Sequence, residues 1–225
     1  MAKWKKSKII TVSSIIAVLM IGIIVFLCFV PTIQKNTELK KYYNKKVADF
    51  EIDNKEFGSV DIVFAGDELT EEYDLRNNYL NLSTINRGIK GDDTYGLLKR
   101  LKVSVYDLNP DYIVLLIGSN NLSSMLKNYD DILADIDKFA PKAKVIVQSI
   151  YPTSKKYAGR NEKIVEVNKK LKELAEEYDC FYADVHSVLV DSKTGEMNEK
   201  YSDDGFIPNK TGYQKVTEVI KSFLL

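Results

Sequence analysis

Four short blocks carry most of the side chains that could do chemistry. They are Gly66-Asp67-Glu68-Leu69-Thr70, then Asn86-Arg87-Gly88-Ile89-Lys90-Gly91-Asp92-Asp93-Thr94, then Gly118-Ser119-Asn120-Asn121, and finally Asp203-Asp204-Gly205-Phe206-Ile207-Pro208-Asn209 with Gly212-Tyr213 close behind. On residue type alone, Glu68 and Asp204 could serve as a carboxylate pair for acid/base cleavage of a glycosidic bond. Asp67 and Asn120 could instead join them around a divalent cation. The bland alternative is that these carboxylates are solvated or cap helices. The single histidine, His186, has no partner motif, and Cys28 and Cys180 lack metal-ligand spacing, so neither a metal site nor a cofactor is implied.

The blocks matter because of what precedes them. Short apolar runs at Val60 to Phe64, Thr84 to Asn86, Tyr112 to Ile117, Lys144 to Gln148 and Cys180 to Ala183 read as five strands. Between and after them, Thr94 to Leu101, Tyr129 to Phe139, Asn161 to Tyr178 and Asn209 to Leu224 show helical spacing; Ile164, Val167, Leu171, Leu174 and Ala175 make the clearest single face. Continuous apolar strands alternating with helices imply a parallel sheet covered on both sides. In such sheets the crevice lies at the carboxyl ends of the strands, where the first three blocks fall.

Together the blocks resemble the SGNH hydrolase superfamily, also called GDSL esterases and lipases, over about residues 58–225. The Val145-to-Pro152 run is similar to that family's fourth strand and the turn after it. The resemblance implies a three-layer α/β/α sandwich with a flavodoxin-like parallel five-stranded sheet. It also assigns roles. The first block's third position is the nucleophilic serine, here Glu68. Gly91 and Asn120 match the oxyanion-hole donors. Asn121 stands where the family has aspartate. In the last block Asp204 matches the aspartate of the dyad, but Ile207 occupies the histidine position. An acyl hydrolase needs a nucleophile and a base within reach of each other. Loss of such members costs on the order of 10⁴ to 10⁶ in rate. Thr70 and Ser119 are the nearby hydroxyls, and neither has a histidine beside it by motif.

The chain has 225 residues, with 32 basic and 32 acidic side chains, so no global charge argues for nucleic acid. Ile9 to Val30 is uncharged and long enough to cross a bilayer, preceded by Lys3, Lys5, Lys6 and Lys8 and ended by Pro31. The expected organisation is a basic cytoplasmic tail (1–8), a transmembrane anchor (9–30), a juxtamembrane segment (31–57) and the hydrolase-like domain (58–225) outside a bacterial cell. In the juxtamembrane segment Leu39, Tyr42, Tyr43, Val47 and Phe50 recur at helical spacing, as for a helix packed on the domain. With Cys28 in the anchor and Cys180 in an apolar stretch, no intrachain disulfide is expected.

The functional expectation is a silent domain that binds a cell-envelope glycan, an acylated small molecule or a protein partner. Glu68 would then accept hydrogen bonds from Gly91 and Asn120, and Tyr73, Tyr95 or Tyr151 could stack on sugars unless they are packing residues. The alternative is a weak or unorthodox hydrolase of acyl or acetyl esters on carbohydrate or lipid.

Overall fold

The computed structural model describes residues 34–157 and 159–224. The expected tail and anchor, with Cys28, lie outside the described residues. Among the described residues no helix is long and apolar enough to cross a membrane. The chain divides into two compact units, Met1–Asn44 and Lys45–Leu225. In the first, residues 34–44 are helical. The second holds the sheet and everything described below.

The second unit begins with helix α1 (residues 45–53) and builds five strands: β1 (Ile62–Gly66), β2 (Thr84–Gly88), β3 (Tyr112–Leu116), β4 (Lys144–Gln148) and β5 (Phe181–Ala183). All pairings are parallel, in the order β2-β1-β3-β4-β5. The helices are α2 (Glu68–Glu71), α3 (Leu75–Asn78), α4 (Thr94–Lys99), α5 (Leu101–Ser104), α6 (Met125–Phe139), α7 (Arg160–Glu177), α8 (His186–Leu189) and α9 (Lys210–Lys221). Right-handed crossovers from strands running outward in both directions from β1 must put helices on both faces. On one side α9 meets the segment between α2 and α3 through a stacked Tyr73–Tyr213 pair, with ring centroids 4.7 Å apart, and a Tyr73–Thr217 hydrogen bond of 2.6 Å. On the other, α6 contacts both α4 and α7.

Burial explains the strands. Every residue of β1 is buried, as is all of β3 after Tyr112, which suits a sheet covered on both faces. In α6 the buried positions are Met125, Tyr129, Ile132, Leu133 and Ile136, one stripe at three-to-four spacing. The register sets Gly66 opposite both Gly88 and Leu116, so β2, β1 and β3 end level and the blocks that follow them converge. Gly66 is required there by close approach. A Cβ on it would meet the Leu116 carbonyl oxygen at 2.1 Å and the Thr70 hydroxyl at 2.2 Å.

The expected helix from Thr94 to Leu101 is interrupted at Arg100, whose backbone leaves the helical region (φ −117°, ψ 11°). The reason lies in its side chain, which is 2% exposed and works as a fastener between elements. Its guanidinium bonds to the Asp92 carboxylate at 2.8 and 2.9 Å, to the carbonyls of Gly66 and Arg87 at 2.9 Å each, and to the Ser104 hydroxyl at 2.8 Å. A buried cation so fully paired is stable only as a set; removing one member strands the others. The replacement Arg100→Leu is therefore expected to cost about 3–5 kcal/mol, read as a lower urea midpoint with an unchanged slope. A loss below about 1 kcal/mol, the range of an exposed ion pair, would show that the network is not a fastener.

Candidate functional site

The end of β1 delivers Asp67 and Glu68 side by side, facing opposite ways. Asp67 turns inward and is fully buried. One of its oxygens caps α2 by accepting the Leu69 N–H at 3.1 Å; the other accepts the Ser119 hydroxyl at 2.5 Å. Burial, reinforced by the neighbouring Glu68 charge and opposed by the Ser119 and Leu69 bonds, pushes the Asp67 carboxyl up to about 7.

Glu68 turns toward the mouth. Its Oε2 accepts the Gly91 backbone N–H at 3.0 Å and the Asn120 side-chain amide at 2.8 Å. Gly91 has φ 76°, a left-handed conformation that glycine adopts without strain, and that conformation fixes the direction of the N–H. Asn120 divides its amide hydrogens between Glu68 and the Asp92 carbonyl, the latter at 2.9 Å. Asp92 is the residue that Arg100 grips. A continuous chain of bonds thus runs from the buried guanidinium through Asp92 and Asn120 to the Glu68 carboxylate. Oε1 of Glu68 has no partner among the described residues.

The last block is folded on itself. Asp204 Oδ1 accepts the Phe206 and Ile207 N–H groups, each at 2.8 Å, and the Ser202 hydroxyl at 3.1 Å. Burial raises this carboxyl, but the two backbone N–H groups, Ser202 and Lys156 outweigh it and leave it below the usual carboxylate range. The Ile207 side chain lines an open groove of about 630 Å³ together with Glu72, Pro208, Lys210, Tyr213 and Gln214. No proton acceptor stands at position 207.

Other expected residues are placed as follows. Asn121 bonds the Thr94 hydroxyl at 2.8 Å and so ties the start of α4 to the third block. Ser119 is 2% exposed with its hydroxyl directed at Asp67, and Thr70 is equally buried, so neither presents a nucleophile to the mouth. His186 opens α8; burial lowers its pKa against the opposing Asp184 charge, and its Nε2 is buried without a partner among the described residues. Tyr73 and Tyr151 are inside, the latter bonded to Gln148 at 2.7 Å, which removes both as sugar platforms. Tyr95 is 55% exposed, with the Lys99 ammonium 3.7 Å from its ring centroid. Among the described residues no three His, Cys, Asp or Glu side chains are placed to hold a metal ion. Asp67 and Glu68 are turned to different partners, the one to Leu69 and Ser119 inside and the other to Gly91 and Asn120.

Sequence reasoning missed two arginines. Arg100 stands between Lys99 and Lys102 in a basic run, so its place beside Leu97 and Leu101 on the buried face gave no separate signal. Arg160, at the start of α7, donates to the Ser119 carbonyl next to Asn120 and lies 5.6 Å from the Phe206 ring centroid.

Residues 60–215 match the family described as GDSL-like Lipase/Acylhydrolase. The chain belongs to this family. Among curated proteins it is similar to platelet-activating factor acetylhydrolase IB subunit alpha2 from Rattus norvegicus and from Homo sapiens, 31% identical over 121 residues in each case. That alignment covers 50% of this chain and 53% of the relative, so the chain spans about half the length of the curated relatives it matches. Among solved structures it is similar to a Streptococcus pneumonia protein given the provisional name platelet activating factor. There the TM-score is 0.81 and the identity 27%, over 87% of this chain and 98% of that one. A GDSL-like lipase from Bacteroides thetaiotaomicron shares the fold at TM-score 0.65 and 24% identity, over 83% and 96% of the two chains.

The buried Asp67 gives a signed pH dependence. Its carboxyl titrates near 3.8 when free and near 7 in the fold, so between those values the native state binds more protons than the unfolded state. Stability from this group is therefore greatest below about 4 and is lost as pH rises toward 7. In Asp67→Asn that decline should shrink when unfolding free energies are compared from pH 4 to pH 8. A variant with the same pH slope as the parent would show that Asp67 is already ionised at low pH.

Proposed function

We propose that this family member has stopped hydrolysing esters and instead holds a hydroxyl-rich ligand, an envelope glycan, at the mouth of its sheet, on a domain tethered outside a bacterial membrane by the apolar run at 9–30. The observation that carries the reading is the Glu68 carboxylate on Gly91 N–H and the Asn120 amide. Those are the donors that a hydrolase of this family would aim at a developing oxyanion. An ester oxygen would have to displace a charged acceptor from both bonds, which are stronger than those a neutral carbonyl could offer. Ile207 then leaves any hydroxyl without a base, and Asp204 spends one oxygen on its own loop.

With the donors answered internally, the mouth has changed its preference. Glu68 Oε1, the second Asp204 oxygen and the Asn120 carbonyl are acceptors, and acceptors recognise hydroxyl or ammonium donors. Sugars supply these in rows, and the exposed Tyr95 ring offers an adjacent apolar face.

The competing reading, weak acyl hydrolysis, is favoured by the curated relatives named as acetylhydrolases and by the close Ser119–Asp67 pair. A fluorophosphonate probe separates the two, because labelling requires an activated hydroxyl. The full chain in detergent is expected to remain unlabelled and to turn over neither p-nitrophenyl acetate nor acetylated sugars above the uncatalysed rate. Labelling, or turnover that Glu68→Ala abolishes, would overturn the silent reading. The paired change Glu68→Ser with Ile207→His should raise esterase turnover by on the order of 10² or more. A folded double variant that gains nothing would mean that the hole itself no longer accepts an oxyanion.

A further inference from the structure

An arginine beside the mouth is left over once the ion pairs are assigned. Arg100 meets Asp92 at 2.8 Å and Arg87 meets Asp53 at 3.6 Å. Arg160, the first residue of α7, meets no carboxylate among the described residues. It makes one hydrogen bond there, to the Ser119 carbonyl, and its Nε is buried with no partner. A guanidinium has donors to spare beyond that bond, and leaving them unanswered in a half-buried position costs free energy. The group is also held in place. It lies 5.6 Å from the Phe206 ring centroid, Phe206 lies 5.4 Å from Tyr157, and the Lys156 ammonium lies 5.7 Å from the Tyr157 ring. Two cations thus flank two rings in one row. The Ser154 N–H, bonded to the Gly205 carbonyl at 2.8 Å, fastens that row to the last block. Asp204 answers part of the Lys156 charge; no described carboxylate answers Arg160.

The Ser119 carbonyl ties this cation to the site. The next residue is Asn120, whose amide holds Glu68. A guanidinium with unspent donors and a carboxylate with an unspent oxygen are therefore fastened to consecutive residues of the third block, and they do not pair with each other. A neutral sugar could meet Glu68 but would leave Arg160 unanswered. A bare anion could meet Arg160 but would be repelled by Glu68 and would offer it no donor. A planar guanidinium fork fits the oxygens of a phosphate or a carboxylate. We infer that the hydroxyl-rich ligand of the mouth is itself anionic: a saccharide or polyol bearing an oxyanion, with hydroxyls on Glu68 and the oxyanion on Arg160. The inference rests on the hydroxyl-binding reading of the mouth given above, and not on the tether.

The full chain in detergent is titrated with two matched pairs, methyl glucuronoside against methyl glucoside and glycerophosphate against glycerol, and with inorganic phosphate. The Gly91 amide and the Arg160 Nε–H are followed by nuclear magnetic resonance. The charged member of a pair should move both signals along one saturation curve and bind about tenfold more tightly than its neutral partner, which should move Gly91 alone. The pair with the larger difference names the oxyanion as carboxylate or phosphate. Added salt should weaken the charged ligands and leave the neutral ones unchanged. Arg160→Gln should bring each charged ligand down to the affinity of its neutral partner. Lys156→Gln, an exposed change that leaves the Ser119 bond intact, should weaken the charged ligands by about twofold. Equal affinities within both pairs overturn the inference and spare the glycan reading. Inorganic phosphate that binds as tightly as the charged ligands, with Gly91 unmoved, overturns both, as does silence of both signals to every probe. If Arg160→Gln does not fold, the salt series and Lys156→Gln decide, and charged-ligand affinities that neither alters overturn the inference.

Discussion

Two hydrogen-bond donors at the mouth of a parallel sheet impose the constraint on which the rest of this molecule turns. The Gly91 N–H and the Asn120 amide are fixed in direction, one by a left-handed backbone and the other by a second bond to Asp92. In an acyl hydrolase such donors wait for a charge that exists only during reaction. Here a permanent charge meets them, because Glu68 stands at the third position of the first block and its Oε2 lies within 3.0 Å of both. Charge-assisted hydrogen bonds of this type are stronger than those water offers the same donors, so the arrangement rests in its occupied state.

The scaffold beneath keeps those donors in place. Arg100 joins the last residue of β1, the fourth residue of β2 and Asp92 in a single buried knot, and Asp92 in turn holds Asn120. The donors that the motif resemblance assigns to an oxyanion hole are thus held firmly, while the residues at positions 68 and 207 differ from the motif. On the binding reading proposed above, the mouth is rigid and its polarity is accepting rather than donating. The same argument accounts for Asp67, which remains as a buried cap shared with Ser119 and plays no part at the surface.

Much of this was legible in the residue order, for identifiable reasons. The Lys144-to-Gln148 strand and the Tyr112 run were readable because continuous β-branched and aliphatic residues bounded by turn signals have few other solutions. The convergence of Glu68, Gly91 and Asn120 followed from placing each block after a parallel strand. What escaped were features that periodicity cannot encode. Helices α2, α3 and α8 have four residues each, too few to show a repeat. The break at Arg100 depends on carbonyls from two strands distant in sequence. Tyr73 and Tyr151 could not be told from surface aromatics until their hydroxyls found Thr217, Tyr79 and Gln148 in the interior.

The central claim is that a single carboxylate, that of Glu68, sits on Gly91 and Asn120 together. Nuclear magnetic resonance reads this directly through the Gly91 backbone amide and the Asn120 side-chain amide. Both resonances should move upfield together when Glu68→Ala removes the acceptor they share. If either resonance stays where it is in Glu68→Ala, the carboxylate does not occupy the hole.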